Sequence, residues 1–305
     1  MTLAETAPSV TGASSRIEAP SAPSFLCGLV GSGISRSLTP TLHEAEGRAH
    51  GVGYVYRILD IDTLGGVAAL PRIVSSAVEF GFDGLNVTHP CKQAVIPLLD
   101  DLTPDARMLG AVNTVEIDGD RLVGHNTDWT GFGRNLDAGL GDTPVGRVVQ
   151  LGAGGAGAAV AYATLTRGPE AFTVADADPS RSRALADQLS EQFPGGGIAS
   201  CGLSDVPAAV RAANGLVHAT PVGMAAHPGI ALDAALLRPD LWVAEVVYRP
   251  TETELLRRAR AVGARTISGI GMAVGQAVDS FRIFTGLEPD AARMTEHMRQ
   301  VLAAE

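Results

Sequence analysis

The sequence is poor in the residues that build disulfide frameworks and metal sites. Its 305 residues include three cysteines, Cys27, Cys91 and Cys201, which lie far apart and form no C-x-x-C pair. An odd number of separated cysteines argues against a disulfide scaffold and a thiolate metal site, and it fits a reducing compartment. The seven histidines show no H-E-x-x-H spacing, so no metal site is predicted.

Positive charge and long apolar runs are also scarce. Arginine and lysine total 23 against 33 acidic residues, the net charge is -10, and Lys92 is the only lysine. Such a field repels phosphate backbones and anionic lipid, so we expect no nucleic-acid or membrane partner, and an anionic substrate must be held by local cations. The longest apolar stretch, "LGAGGAGAAVAYATL", is too short to span a bilayer. The first fifteen residues lack Lys, Arg and any apolar run, which predicts no secretory signal and a cytoplasmic protein.

The first half of the chain predicts an open α/β layer. Residues 1–24 are small, polar and proline-bearing, which is typical of a disordered tail. Strands are then predicted at "FLCGLVG", "YVYRILDI" and "FDGLNVT". The helix between the first two strands should begin with Thr39 as its N-cap, and residues 65–81 should form the next helix. Alternation of strands and helices predicts an open α/β domain over residues 25–127.

The second half predicts a different α/β unit. A hairpin turning at Asp118 and Gly119 leads into a helix that leaves the first domain. Short apolar strands then alternate with helices, at "RVVQL", "FTVADA", "GLVHAT", "WVAEVVY" and "RTISG". This rhythm predicts a Rossmann-type doubly wound parallel sheet over residues 128–268. Residues 269–305 should be helical and pack back on the first domain.

A glycine-rich turn joins the first strand of this unit to a helix. Its residues are Gly152, Ala153, Gly154, Gly155, Ala156 and Gly157. In a G-x-G-x-x-G pattern the first glycine makes the tight turn, the second admits a pyrophosphate, and the third permits close packing of the helix. Free N–H groups at the start of the helix should bind the phosphates. The turn therefore predicts a dinucleotide site.

The end of the next strand indicates which dinucleotide is bound. Asp176 lies nineteen residues after Gly157, where a carboxylate can accept hydrogen bonds from both ribose hydroxyls and repel a 2′-phosphate. NAD is therefore the predicted cofactor. Arg181 and Arg183 follow closely, and an arginine can accommodate the extra phosphate, so NADP stays open.

Lys92 ends the segment "NVTHPCK", in which a strand stops before a proline. A lysine is rarely buried without a partner, so an amine in a cleft indicates chemistry or anion binding. Hydride removal from a carbinol needs a base for the hydroxyl proton, and no Ser-x-x-x-Lys or Tyr-x-x-x-Lys pair accompanies the glycine turn. Lys92 is the predicted base, oriented by Asp128, which should end a strand of the same domain. A solvated loop lysine is the alternative.

Several further motifs occur together with these. They are "GLVGSGISRSLTPTLHEAE", "NVTHPCK", "AVNTV", "GHNTD", "GAGGAG", "ATPVGM", "VVY" and "GMAVGQA". In kind and order they resemble the shikimate dehydrogenase family, over nearly the whole chain after the tail. The resemblance implies that Lys92 and Asp128 are the catalytic pair. It implies substrate contacts from Ser37, Thr39, Thr88, Asn113, Tyr248 and Gln276. It also implies cofactor contacts from Arg181, Thr220, Val246, Gly269 and Met272, with core packing as the alternative for Met272.

The departures from the family's commonest pattern concern substrate and cofactor. Ser37 and Thr39 stand where two serines are usual, "SGIS" replaces Asn-Pro-Ile, and "ADAD" stands where NADP-dependent members tend to carry Asn-Arg. These features resemble the NAD-dependent quinate/shikimate branch. The expected substrate is a polyhydroxylated cyclic carboxylate, quinate or shikimate, oxidised at C3.

Three questions stay open on the sequence. An NADP-dependent shikimate dehydrogenase and a relative acting on amino-substituted substrates are alternatives, and a homodimer is possible. The non-enzyme alternative is a Rossmann module that regulates transcription. That alternative predicts a basic DNA-reading helix, which the sequence lacks.

Overall fold

Two six-stranded sheets organise the structure, a computed structural model that describes residues 22–304. The first sheet contains β1 (Ser24–Gly31), β2 (Gly53–Asp60), β3 (Gly84–Val87), β4 (Asp101–Leu102), β5 (Thr114–Asp118) and β6 (Arg121–His125). The second contains β7 (Arg147–Leu151), β8 (Ala171–Ala175), β9 (Ile198–Cys201), β10 (Gly215–His218), β11 (Trp242–Glu245) and β12 (Thr266–Ile267). The predicted tail lies outside the described residues, except for residues 22–24.

Helices connect the strands and cover both sheets. The helices that belong to the first half of the chain are α1 (Thr39–Ala49), α2 (Ile61–Leu64), α3 (Leu70–Glu79), α4 (Cys91–Ala94), α5 (Pro104–Leu109) and α6 (Thr127–Leu140). Those of the second half are α7 (Gly155–Leu165), α8 (Pro179–Gln192), α9 (Val206–Arg211), α10 (Glu254–Ala261), α11 (Ile270–Thr285) and α12 (Ala291–Ala303). Within residues 22–304, no helix has the length and apolar character needed to cross a bilayer.

Some local predictions were wrong. Thr39 is the first residue of α1 and not its cap, because Leu38 precedes it with helical φ and ψ, and the Thr39 hydroxyl accepts a hydrogen bond from Ser37 Oγ at 3.1 Å. The predicted helix over residues 65–81 is split into a 3₁₀ turn at Val67–Ala69 followed by α3. The short strands β4 and β9 were missed, since neither has a distinct apolar run.

Strand order shows how the two sheets differ. The second sheet has the order β9-β8-β7-β10-β11-β12 with every pairing parallel, which is the doubly wound arrangement. The first sheet has the order β2-β1-β3-β5-β6-β4, and β5 runs antiparallel to both of its neighbours. The predicted fold class, an open α/β layer followed by a Rossmann-type sheet, is confirmed. The predicted hairpin is present, but its turn residues are Gly119 and Asp120, because Asp118 ends β5 and pairs with Arg121.

The long helices α6 and α11 cross between the two sheets with their backbones in close approach. A Cβ on Gly131 of α6 would lie 2.6 Å from the backbone nitrogen of Gln276, and one on Gly275 of α11 would lie 2.8 Å from Gly131 Cα. Only glycine permits this separation, because any side chain would push the helices apart. The crossing joins the segment after the first sheet to the segment after the second.

Acid should destabilise the fold through His43, which is fully buried on α1 among the rings of Tyr54, Tyr56, Phe281 and Phe284. Burial lowers the pKa of His43 to about 3, from 6.5. Below 6.5 the unfolded chain binds a proton that the folded chain rejects down to about 3, so stability falls as pH drops through this window. Between pH 7 and pH 4.5 we expect a loss of roughly 3 kcal/mol from this group.

Urea unfolding at the two pH values measures this loss. His43→Gln, which cannot titrate, should be less stable at pH 7 but should show a smaller fall between pH 7 and pH 4.5. His227→Ala changes an exposed histidine and should follow the wild-type pH dependence. An equal fall in wild type and His43→Gln would show that other groups carry the acid sensitivity.

Candidate active site

The topology of the first sheet brings the predicted catalytic residues to one edge. Strands β1 and β3 are parallel, so the segments after them, which carry Ser37, Thr39, Thr88 and Lys92, leave at the same edge. Strand β5 is antiparallel to β3, so Asn113, just before β5, lies there too. Strand β6 reverses direction again and delivers Asp128 to this edge. Residues distant in sequence therefore meet because β1, β3 and β6 end, and β5 begins, at the same edge.

Lys92 and Asp128 form an ion pair at this edge. Lys92 Nζ lies 2.5 Å from Asp128 Oδ2, and the two side chains are 20% and 11% exposed. The prediction that Asp128 ends a strand was wrong, because Asp128 is the second residue of α6. Asn126 caps this helix by accepting a hydrogen bond from the Asp128 N–H at 3.1 Å. The carboxylate therefore lies at the start of a helix, where the dipole favours negative charge.

Asn113 holds the other oxygen of this carboxylate. Its Nδ2 donates to Asp128 Oδ1 at 3.0 Å and to Thr127 Oγ1 at 3.0 Å, and its Oδ1 accepts from the Thr127 N–H at 2.7 Å. Asn113 is 4% exposed. Both halves of its amide are engaged within the protein, so the geometry makes it a support for Asp128.

The remaining predicted substrate residues fall into two groups. Thr88 follows β3 and lies close to the end of β1, since a Cβ on Gly31 would be 2.3 Å from Thr88 Cγ2. Gln276 lies on α11 beside Gly131, and Gly131 is about one helical turn after Asp128 on α6. Ser37 and Thr39 bond each other at the start of α1, and Tyr248 packs against an apolar cluster that includes Leu42 and Val274.

The carboxyl edge of the second sheet approaches the carboxyl edge of the first, and the space between the two edges is the cleft. The glycine turn follows β7, Asp176 follows β8, Thr220 follows β10, and Val246 follows β11. Arg249, further along the segment after β11, donates to the carbonyl oxygen of Arg36 at 3.1 Å. Because Arg36 lies in the loop after β1, the two carboxyl edges meet, and ligands of open α/β sheets bind at such edges.

The glycine turn fits a dinucleotide. Gly152 has φ +104°, and a Cβ there would lie 2.4 Å from the carbonyl oxygen of Ala219. A Cβ on Gly157 would lie 2.4 Å from the Gly152 carbonyl oxygen, so this position must also be glycine. By contrast, a Cβ on Gly154 or Gly155 meets no atom within 4 Å, and no side chain caps α7. The first N–H groups of α7 therefore face open space suited to a pyrophosphate.

Asp176 lies directly against this turn. Its Oδ2 accepts from the Ala153 N–H at 2.7 Å and its Oδ1 from the Asp178 N–H at 2.9 Å, so the Ala153 N–H is not available to a phosphate. Each carboxylate oxygen keeps acceptor capacity for a ribose hydroxyl. The side chain of Arg181, in the first turn of α8, is 65% exposed, and its Nε lies 3.8 Å from Asp178 Oδ2.

The other predicted cofactor residues differ in exposure. Thr220 and Val246 are half-buried at the carboxyl edge, and Gly269 precedes α11, where a Cβ would lie 2.4 Å from the Val246 carbonyl oxygen. Met272 is 6% exposed and packs in the core beside Phe132, which favours the core-packing alternative. Among residues 22–304, no three His, Cys, Asp or Glu side chains are grouped as metal ligands.

Sequence reasoning missed the residues that support the site. Asn126 and Thr127 fix Asp128 and Asn113, and an asparagine immediately before a helix was the available signal for a cap. His218 and Glu245, which end two central strands, were also missed. Each was a lone ionisable residue within an apolar strand, which is a signal for a buried pair.

Fold and site together define a two-domain α/β oxidoreductase. The family described as "Shikimate dehydrogenase substrate binding domain" matches residues 29–115, and that described as "Shikimate 5'-dehydrogenase C-terminal domain" matches residues 269–302. The chain belongs to the shikimate dehydrogenase family, whose members act on a CH–OH group. The family and the enzyme class inferred from the motifs are confirmed.

Relatives of both cofactor types are similar to this chain. A shikimate dehydrogenase (NADP(+)) of Streptomyces avermitilis is 59% identical over 89% of this chain and 94% of its own length. A quinate/shikimate dehydrogenase (NAD(+)) of Corynebacterium efficiens is 53% identical over 89% of this chain and 96% of its own. The quinate dehydrogenase of Corynebacterium glutamicum, solved in complex with NAD, has a TM-score of 0.87 at 50% identity, over 91% of this chain and 99% of that one.

Proposed function

We propose that this protein catalyses reversible transfer of hydride from C3 of quinate or shikimate to NAD, giving 3-dehydroquinate or 3-dehydroshikimate. The observation that carries the proposal is the Lys92–Asp128 ion pair, 2.5 Å between its charged atoms, in the cleft where the carboxyl edges of both sheets meet. Relatives that carry the quinate/shikimate name and the NAD cofactor support the same reaction.

Lys92 is the acid–base group of the proposed mechanism. In oxidation its neutral amine accepts the C3 hydroxyl proton, and the resulting ammonium is stabilised by Asp128. In reduction the ammonium returns the proton to the carbonyl oxygen. The bound nicotinamide supplies the hydride acceptor. Asn113 keeps one carboxylate oxygen occupied, so the other stays directed at Lys92.

The substrate is held by neutral polar groups around this pair. Ser37, Thr39 and Tyr248 are assigned to the carboxylate, and Thr88 and Gln276 to ring hydroxyls, since hydroxyl and amide groups both donate and accept. The Gln276 amide nitrogen bonds the Ala273 carbonyl oxygen at 2.9 Å, which leaves its carbonyl oxygen for the substrate. Such a pocket rejects analogues that lack a hydroxyl, because its own polar groups would lose their partners.

Asp176 decides the cofactor in this proposal. Its carboxylate at the end of β8, with Asp178 two residues on, disfavours a 2′-phosphate at the adenine ribose. The second candidate is NADP-dependent shikimate dehydrogenase activity, favoured by the 59% identity to an NADP enzyme and by Arg181 in the first turn of α8. The two candidates differ in the ratio of kcat/KM for NAD to that for NADP.

Asp176→Ala should lower the NAD to NADP ratio of kcat/KM by about 10- to 100-fold, since a charged group's hydrogen bonds to the ribose hydroxyls contribute about 1.5–3 kcal/mol. Asp178→Ala removes the neighbouring carboxylate, which instead caps α8 through the Ser180 N–H, and should change the ratio much less. Initial rates of NADH and NADPH formation with quinate, shikimate and an amino-substituted analogue measure these ratios. A wild-type preference for NADP would overturn the NAD assignment, and turnover of the amino analogue alone would overturn the substrate assignment.

A further inference from the structure

Two ionisable side chains are buried together at the centre of the second sheet, and the mechanism above does not use them. His218 ends β10 and Glu245 ends β11, and the two residues pair in register on adjacent parallel strands. They are 1% and 0% exposed, and His218 Nδ1 lies 2.8 Å from Glu245 Oε1. Burial of such groups is costly unless every polar atom is paired, so the hydrogen-bond partners of the two side chains indicate their role.

The network extends from Glu245 through His218 to the cleft. Glu245 Oε1 also accepts from the Val247 N–H at 3.0 Å, and its Oε2 accepts from Thr253 Oγ1 at 3.0 Å. On the other side of the imidazole, His218 Nε2 lies 2.6 Å from Thr220 Oγ1. Thr220 is half-buried, whereas the other members are buried. The network therefore ends in a hydroxyl at the cleft.

The direction of the hydrogen bonds depends on the charge state of the two groups. An ionised carboxylate only accepts, so His218 Nδ1 carries a proton and donates to Glu245. If the imidazole is neutral, its Nε2 accepts and the Thr220 hydroxyl proton points at it. The Val222 N–H donates to Thr220 Oγ1 at 3.2 Å. A hydroxyl oxygen has two lone pairs, so Thr220 keeps one acceptor site for a ligand.

Thr220 lies at the point where the strand order of the sheet reverses. Strand β7 has β8 on one side and β10 on the other, and a Cβ on Gly152 would lie 3.1 Å from Thr220 Cγ2. A dinucleotide crosses a doubly wound sheet at this point. Asp176, on the β8 side, is placed for the adenine ribose, so the nicotinamide half falls on the side of β10, β11 and β12.

We infer that His218 and Glu245 are positioning residues that hold the Thr220 hydroxyl as a hydrogen-bond acceptor for a donor group on the nicotinamide half of the cofactor. This inference rests on the proposed function only in requiring that the chain bind a nicotinamide dinucleotide. His218 acts through Thr220, and Glu245 fixes the tautomer and orientation of the imidazole.

Fluorescence titration of NADH onto the whole protein, without substrate, tests the inference. In His218→Asn the side-chain amide occupies the place of Nδ1 and can still donate to Glu245, but it cannot reach Thr220. Thr220→Val removes the hydroxyl and keeps the shape. Each variant should raise the Kd for NADH about 5- to 10-fold, the usual effect of one hydrogen bond. Thr220→Ser keeps the hydroxyl and should raise the Kd for NADH less than Thr220→Val does.

The double variant distinguishes positioning from a separate structural role. Because His218 acts through Thr220, the double variant His218→Asn with Thr220→Val should have a Kd for NADH no higher than the larger of the two single-variant Kd values. Multiplication of the two single effects would overturn the inference, and so would an unchanged Kd in folded His218→Asn. If His218→Asn does not fold, Thr220→Val decides, and an unchanged Kd there overturns the inference. Failure of the wild-type protein to bind either dinucleotide would instead contradict the proposed function.

Discussion

Lys92→Met should lower kcat by about 10²- to 10⁴-fold, which is the usual contribution of a positioned acid–base group, and leave KM for the substrate near its wild-type value. The loss arises because no other group in the described cluster around Asp128 can exchange a proton with the C3 oxygen. Steady-state rates with NAD and quinate or shikimate measure it. A kcat within a few-fold of wild type would refute the proposed role of Lys92.

Lys92→Arg is the matched control for charge. In the structure Lys92 Nζ lies 2.5 Å from Asp128 Oδ2. Arginine would keep a cation beside Asp128, but it does not lose its proton at working pH. We therefore expect Lys92→Arg to fold as wild type and to be nearly as inactive as Lys92→Met. Substantial activity in Lys92→Arg would mean that the positive charge, and not proton transfer, is what the reaction requires.

The composition of the chain allows a second measurement on the same residue. Lys92 is the only lysine, so an amine-directed reagent has one side-chain target besides the N-terminal amine. Inactivation should follow the appearance of one modified lysine by mass spectrometry, and bound substrate should slow both. Full labelling of Lys92 with retained activity would contradict its place in the cleft.

Arg293→Met should lower the free energy of unfolding by about 3 kcal/mol, because it leaves the Glu46 carboxylate buried without its cation. Arg293 Nη2 and Nε bond Glu46 Oε1 and Oε2 at 2.5 and 2.9 Å, and the Asp290 N–H donates to Oε1 at 2.8 Å. Burial alone would raise the pKa of Glu46, but these bonds outweigh it and hold the pKa below its ordinary value. This loss of unfolding free energy is at the low end of the range for buried ion pairs, because the Arg293 side chain is 43% exposed.

Urea denaturation at pH 7 measures this change, and Arg299→Met is the matched control. Arg299 lies on the same helix α12, but its partner Glu296 is 4.0 Å away and both side chains are more than half exposed, so its removal should cost under about 1 kcal/mol. Equal stability of the two variants would show that the contact of α12 with α1 does not depend on Glu46.

Much of the fold follows from local pattern. The apolar run "RVVQL" followed by glycines predicts both a buried strand and a tight turn, and the structure places β7 and Gly152 with φ +104° there. The turn sequence Asp118-Gly119 likewise predicts the hairpin. Such features depend on neighbours within a few residues, so the sequence alone specifies them. The elements that it did not reveal, β4 and β9, are short edge segments whose existence depends on pairing with β6 and β8.

The sequence by itself determined the family, the two α/β units and the identity of the candidate acid–base pair. Only the tertiary structure decided that Asp128 belongs to a helix, that Asn113 is used in holding it, and that His218 and Glu245 form a buried pair ending at Thr220. The physical reason is that residues 15 to 36 positions apart meet through strand order and direction. Hydrogen-bond partners across strands are set by that topology, whereas caps, turns and glycine conformations are set by the chain nearby.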